Sequence, residues 1–379
     1  MIPYSKKIHH PKVGLVILLF VCNVLHARDS QSIGEFESDG LQLKLETVLN
    51  YKGVIWGFDF LGPADLIFTK RSGQFYRYNI DTKSLIKIEG GPKVSASGEG
   101  GLLDIRLHPR FYKNNRLFFS YVKKMPQGTS TTLATARLIG NTLTELKDLF
   151  ISQPAQYEPT HFGSRVLVIG NYLYLSTGDR GVRENSQKLD NHHGKIIRLK
   201  IDGTVPDDNP FVNQKDVKPE IWSFGHRNIQ GLAYDSIGKR LWAQEHGPDG
   251  GDEINLISRG ANYGWPVITH GKEYSGKSIG VGRSKKGMKQ PVKQFTPSIA
   301  PSGLIIYTGN ALPNWKAHVF SGALRGMHLN KLKLNKNVVV DEQRLLADFG
   351  LRIRCVRQGP DGLIYLSTDN GKILKISKR

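Results

Sequence analysis

The sequence predicts an all-β protein, a six-bladed β-propeller of four-stranded antiparallel blades behind an N-terminal signal peptide. Three features point there. Runs that keep apolar residues at helical spacing are scarce. Short apolar alternations bounded by Gly, Asn and Asp recur instead, and the 41 glycines are spread along the chain, as tight turns between short strands require. One kind of segment also returns six times: a polar turn, an aliphatic–aromatic strand, then a small or hydroxylated residue.

The repeat reads Ala64-Asp65-Leu66-Ile67-Phe68-Thr69, then Asn115-Arg116-Leu117-Phe118-Phe119-Ser120, then Asn171-Tyr172-Leu173-Tyr174-Leu175-Ser176. It continues at Lys239-Arg240-Leu241-Trp242-Ala243, Ala317-His318-Val319-Phe320-Ser321 and Gly362-Leu363-Ile364-Tyr365-Leu366-Ser367. The spacing, roughly 45 to 80 residues, suits blades that carry loop insertions. A pair of β-sandwiches would explain strands equally well, but not one strand signature with a similar lead-in each time.

The first residues form a separate object. Lys6, Lys7 and Lys12 precede an apolar run from Val13 to Leu25, which ends at His26-Ala27 before the polar Arg28-Asp29-Ser30. A basic start, a short apolar stretch and a small residue at the exit read as a secretory signal, with an uncleaved anchor as the alternative. The expected division is 1–27 signal peptide, 28–50 lead-in and 51–379 propeller, giving a periplasmic or secreted product without stable membrane insertion. Removing the signal leaves Cys355 as the lone cysteine, so no intramolecular disulfide forms and a packed thiol is expected.

The net charge of +20 invites a nucleic-acid reading. The basic residues are dispersed, however, with only short clusters such as Lys285-Lys286, and no nucleic-acid motif accompanies them. A solvated basic surface is expected, one that favours an anionic cofactor.

Four polar, Gly-bounded segments beside strands carry candidate chemistry. His161-Phe162-Gly163-Ser164-Arg165 is followed one strand later by Thr177-Gly178-Asp179-Arg180-Gly181, so His161 and Asp179 could act as a base and its orienter. Gly225-His226-Arg227-Asn228-Ile229-Gln230-Gly231 offers a planar cation and two amides to a flat, oxygen-rich ligand. The segment from Glu245 through Gly247, Pro248 and Asp252 to Glu253, trailed by Asn262-Tyr263-Gly264-Trp265-Pro266, sets carboxylates among Gly-rich carbonyls, which suits calcium. An acidic turn facing water is the alternative there. Arg352-Ile353-Arg354 places two guanidinium groups on one face of a strand.

Together these segments resemble the soluble PQQ-dependent aldose sugar dehydrogenases, the glucose/sorbosone dehydrogenase family. The resemblance runs from about Trp56 to Ser377 and includes Gly98-Glu99-Gly100-Gly101-Leu102-Leu103, Leu107-His108-Pro109, Gly194-Lys195-Ile196, Asp207 to Phe211 and Gly359-Pro360-Asp361-Gly362. It implies a quinoprotein that oxidises an aldose at its anomeric hydroxyl with pyrroloquinoline quinone (PQQ) and Ca2+, passing electrons to an external acceptor. His161 would be the general base, Asp179 its orienter, and Arg227, Asn228 and Gln230 would line the quinone oxygens. Arg352 and Arg354 would hold cofactor carboxylates, and Tyr274 would touch PQQ. Gly247 and Pro248 would hold one calcium through their carbonyls, and Glu253 and Tyr263 a second.

Two positions depart from the family pattern. Glu99 stands where the family often has Gln, and Arg325 where it has an active-site lysine. The first sets a carboxylate beside an anionic cofactor, and the second keeps charge with a different geometry. Competing readings are a non-catalytic propeller that binds carbohydrate or protein and a calcium-dependent hydrolase or lactonase. Joint presence of His161, Asp179, Arg227 and the paired arginines disfavours the former, and a missing carboxylate cluster the latter.

Overall fold

The computed structural model describes Met1, Leu25–His26 and residues 32–379; the expected signal segment lies almost wholly outside them. Six antiparallel sheets succeed one another along the chain, as predicted. The innermost strands, in order, are Ile55–Phe60, Leu102–Leu107, Val166–Ile169, Ile229–Asp235, Pro301–Ile306 and Ile353–Gln358. Each leads to a second strand, by a short turn or by a loop holding one helical turn: Asp65–Lys70, Arg116–Met125, Tyr172–Ser176, Arg240–Glu245, Val319–Ala323 and Ile364–Thr368.

The six repeated segments all fall on these second strands. A second strand has hydrogen-bonded neighbours on both edges and another blade against each face. Its side chains are therefore apolar on both sides instead of alternating, as in Val319–Ala323, which is buried throughout. The alternation expected of a half-buried strand is absent from the burial of that strand for this reason.

An apolar cluster fills each of the six seams between blades. Ile67 and Phe75 of the first blade meet Leu102, Ile105 and Phe119 of the second. Val48, Leu49, Cys355 and Ile373 of the sixth meet Ile55, Phe58 and Phe68 of the first. Cys355 is thus a packed small hydrophobe, fully buried and free. Phe68, also fully buried, stacks on Tyr76 with centroids 5.4 Å apart, and truncating such a core phenyl to Ala costs about 3–5 kcal/mol.

The ring is closed by the segment expected as a lead-in. Leu41–Asn50 pairs antiparallel with Lys372–Lys378 as the fourth strand of the sixth blade, and Ser32–Ser38 adds a fifth. Residues 32–50 therefore belong to the propeller, which corrects the boundary placed at 51. Buried Lys331 of the fifth blade ties this closure down by reaching Ser38 and Asp39. Among the described residues no helix is long and apolar enough to cross a membrane.

Candidate active site

In an antiparallel blade, the start of the inner strand and the end of the second strand lie at the same end of the channel. The predicted residues sit at those two places in blade after blade. Glu99, His161, Arg227, Asn228 and Arg352 precede inner strands, while Asp179 and Arg325 follow second strands, as does Asp369, which was not predicted. Glu99, Asn228, Arg325, Arg352 and Asp369 line a cavity of about 380 Å³ together with Trp56, Phe162, Gln230 and Arg354, and His161 adjoins it through its lining neighbours Phe162 and Gly163.

His161 Nδ1 lies 2.7 Å from Asp179 Oδ1. A carboxylate only accepts, so Nδ1 carries the proton and donates, leaving Nε2 as the basic nitrogen. Asp179 is itself fixed: Oδ1 also accepts from Gly181 N at 2.9 Å and Oδ2 accepts from Trp265 Nε1 at 2.8 Å. Burial works to raise the Asp179 carboxyl, but the His161 and Gly181 donors and the nearby Arg227 charge outweigh it and hold it below the usual range. The imidazole stays accessible, with 16% of its side chain exposed.

The backbone that presents His161 is constrained. His161 has a left-handed φ of 49°, and a Cβ on Gly178 would fall 1.9 Å from the His161 carbonyl oxygen, so only Gly fits there. Arg180 clamps the same segment. Its guanidinium donates to the carbonyls of Thr129 (2.8 Å), Thr160 (2.9 Å) and Glu158 (2.5 Å), and stacks 3.9 Å from the Phe162 ring centroid. Asp179 thus orients the ring while Arg180 holds the chain on both sides of it.

Glu99, one of the two departures, points its carboxylate at the same segment. It accepts from His161 N at 2.8 Å and from Thr160 Oγ1 at 3.2 Å. Arg71, Arg325, Arg352 and Arg354 line the cavity against two carboxylates, Glu99 and Asp369, so the cavity keeps an excess of positive charge. Arg325 is exposed, and its side chain makes no hydrogen bond among the described residues. Asp369, which the sequence reading passed over, bridges the arginine pair. It accepts from Arg352 Nε at 3.1 Å and from Arg354 Nε and Nη2 at 2.8 and 3.0 Å.

Arg227 lies beside the cavity and is held from both ends. Its N–H donates to Glu245 Oε2 at 2.6 Å, and its Nη1 donates to the Gly247 carbonyl at 2.8 Å. Its Nε is buried without a partner. Asn228 Oδ1 accepts from Gly163 N at 3.0 Å and Gln230 Nε2 at 3.1 Å, which fixes both amides.

A second cavity, about 20 Å³, is bounded by Arg227, Glu245, Gly247, Glu253, Tyr263 and Trp265 among others. Burial and the nearby Glu245 push the Glu253 carboxyl up to about 8. Asn255 donates to both carboxylates, while its own Oδ1 is buried and unpaired. Oxygen atoms therefore outnumber donors here, the balance a hard cation would correct. Among the described residues there is no cluster of three or more His, Cys, Asp or Glu side chains able to hold a metal. Any ion is left to carbonyls and one or two carboxylates. The Tyr263 hydroxyl is already taken, donating to Leu256 O at 2.7 Å and accepting from Ser258 N at 2.8 Å. Pro248 is buried beside Gly247.

Tyr274 is not brought to the cavity. Its side chain is 79% exposed, because neighbouring Glu273 is turned to Arg183 at 2.6 Å and Lys272 pairs through its backbone with Asp249.

The sequence model of the Glucose / Sorbosone dehydrogenase family matches residues 53–375. The chain belongs to this family. Within the glucose/sorbosone dehydrogenases, it is 37% identical over 333 residues to Aldose sugar dehydrogenase YliI of Escherichia coli, spanning 86% of this chain and 90% of that protein. The solved apo-form of the soluble aldose sugar dehydrogenase from Escherichia coli superposes with a TM-score of 0.86 at 36% identity, covering 89% of this chain and 100% of that one. The PQQ-bound form of the aldose sugar dehydrogenase from Streptomyces coelicolor superposes with a TM-score of 0.73 at 28% identity, covering 89% and 98%. The family resemblance drawn from the ordered motifs is borne out.

Proposed function

We propose that this chain is an exported quinoprotein that oxidises the anomeric hydroxyl of an aldose to its lactone, with His161 as general base. The observation that carries the reading is the 2.7 Å His161–Asp179 pair beside a cavity with surplus guanidinium charge. That surplus fits PQQ, a flat tricarboxylate, and a cavity of about 380 Å³ falls in the range of small-molecule sites. The S. coelicolor relative, solved with PQQ, supports the same choice. When bound, PQQ with calcium would supply an electrophilic carbonyl able to accept hydride.

The chain's own residues do the rest. Asp179 keeps the proton on His161 Nδ1, so Nε2 takes the proton from the anomeric hydroxyl as the C–H bond breaks. The charge that develops on the imidazole is stabilised by the buried carboxylate. Arg352 and Arg354, aligned by Asp369, would grip cofactor carboxylates as a pair of planar forks. Arg227, with its unpaired Nε, and the fixed amides of Asn228 and Gln230 would align the quinone oxygens. Arg325 has no side-chain partner among the described residues and would add a further cation; Glu99 is occupied by the His161 and Thr160 donors instead of facing the cofactor bare. Gly247 and Pro248 would offer carbonyls to the catalytic calcium, and Glu253, with the Tyr263 segment, would hold a second ion. Electrons would leave to an external acceptor.

The test is reconstitution. Protein lacking the first 27 residues is mixed with calcium and PQQ, then assayed with an aldose panel and an artificial acceptor. Saturable PQQ binding with aldose-dependent reduction of the acceptor is expected; no PQQ binding by titration would overturn the reading.

A further inference from the structure

The inner strands have a second end, and it is also hollow. A cavity of about 310 Å³ opens there, lined by Asp59, Arg106, Tyr234, Thr308, Arg357 and Gln358 among others. Trp56 and Asp59, Leu103 and Arg106, and Arg354 and Arg357 are pairs three residues apart on three strands, one member at each cavity. The two cavities are therefore about 10 Å apart along the channel. Between them sits a buried plug in which Asp104 Oδ1 accepts from Arg165 at 3.1 Å and Arg357 at 2.8 Å. Its other oxygen accepts from Val166 N at 2.9 Å.

The plug and the far mouth do not balance in charge. Arg106, Arg165 and Arg357 stand against Asp59 and Asp104. Both carboxylates are already committed, since Asp59 accepts from Phe60 N at 2.9 Å and Leu107 N at 3.0 Å. Arg106 makes one weak bond, Nε to the Val166 carbonyl at 3.3 Å, and its terminal nitrogens have no protein acceptor among the described residues. Gln358 Oε1 accepts from Thr308 N at 2.8 Å, and the Gln358 NH₂ has no protein acceptor among the described residues. At the mouth two guanidinium groups, Arg106 and Arg357, face one carboxylate, Asp59, and the terminal donors of Arg106 are unspent.

We infer that this distal mouth binds a small oxyanion, a carboxylate or a phosphate, on the free fork of Arg106 with help from Gln358. A guanidinium removed from bulk water is costly until a counter-charge and hydrogen-bond acceptors meet it. The planar fork matches the two oxygens of a carboxylate or phosphate edge. Burial and the adjacent Arg357 press Arg106 down to about 10, in keeping with a cation short of partners. The site is separate from sugar oxidation and does not rest on the function proposed above.

Binding is read by calorimetry on the mature chain, titrating acetate in one arm and inorganic phosphate in another at fixed ionic strength, with wild-type compared to the Arg106 variants so that any binding at the arginine-lined opposite cavity, common to all, is separated. A saturable component that depends on Arg106 is expected in one of the arms, and the arm that shows it names the source. Arg106→Gln should weaken it by about tenfold or more, the usual effect of losing a charge-assisted bond. Arg106→Lys keeps the charge without the fork and should weaken it less, which guards against misfolding of the first variant. Arg325→Gln, at the opposite cavity, should leave it unchanged. No saturable binding in either arm, equal affinity in Arg106→Gln, or loss in Arg325→Gln instead would overturn the assignment.

Discussion

His161 Nδ1 and Asp179 Oδ1 meet at 2.7 Å, and the second Asp179 oxygen is taken by the Trp265 indole N–H at 2.8 Å. The carboxylate therefore has one orientation, and the imidazole one tautomer. Asp179→Asn keeps the size but presents an amide that can also donate. The wrong tautomer then becomes available, and kcat should fall by roughly 10²–10⁴, the range of lost general-base catalysis. PQQ affinity should hold within a few-fold. Steady-state kinetics beside a PQQ titration checks both; unchanged kcat would remove Asp179 from the mechanism.

Arg180 is the second support of His161, through the chain instead of the ring. Arg180→Met would leave the carbonyls of Thr129, Glu158 and Thr160 without their buried donor, at about 1–3 kcal/mol for each one that stays dry. Arg180→Lys keeps charge but not five planar donors, so it should retain most stability and lose kcat with little change in KM. Denaturant titration and kinetics on both variants separate the two effects.

The arginine pair should be unequal. Arg354 has 14% of its side chain exposed and makes a two-bond grip on Asp369, whereas Arg352 is 50% exposed. Solvent screens the second more strongly. Arg354→Ala should raise the PQQ Kd by about 10–100-fold, as loss of a charge-assisted bond does. Arg352→Ala should raise it less, as fluorescence titration of the cofactor would show.

Glu253 would make calcium binding at the proposed site pH-dependent. Without metal its carboxyl is pushed up to about 8, above its ordinary value of 4.5, so the folded chain holds a proton that the unfolded chain releases. Glu253 therefore favours folding fully at pH below about 4.5, and that contribution is lost as pH rises towards 8. In chelator, wild-type should lose stability over this window relative to Glu253→Gln. A cation displaces the proton, so calcium should stabilise wild-type more at pH 9 than at pH 6, with no such gain in the variant. Thermal melts of both proteins at both pH values, with and without calcium, check this.

The sequence displayed the propeller because the second strands, buried on both faces, repeat one apolar signature such as Leu173-Tyr174-Leu175. Leu41–Asn50 was not legible as part of it, since its partner Lys372–Lys378 lies at the other end of the chain. His161, Asp179 and the arginines stood out as polar residues bounded by glycine. Asp369 did not, because its role depends on two guanidinium groups brought to it from the neighbouring strand. Trp265 lay in a marked segment, but its bond to Asp179 spans 86 residues. Tyr274 does not line the cavity, and its neighbour Glu273 pairs with Arg183, a contact 90 residues away in sequence.

The central claim is that His161 removes the substrate proton. His161→Ala, reconstituted with PQQ and calcium, should bind PQQ as wild-type does and lose at least about 100-fold in kcat on the best aldose. Turnover equal to wild-type, with the cofactor bound, would contradict it.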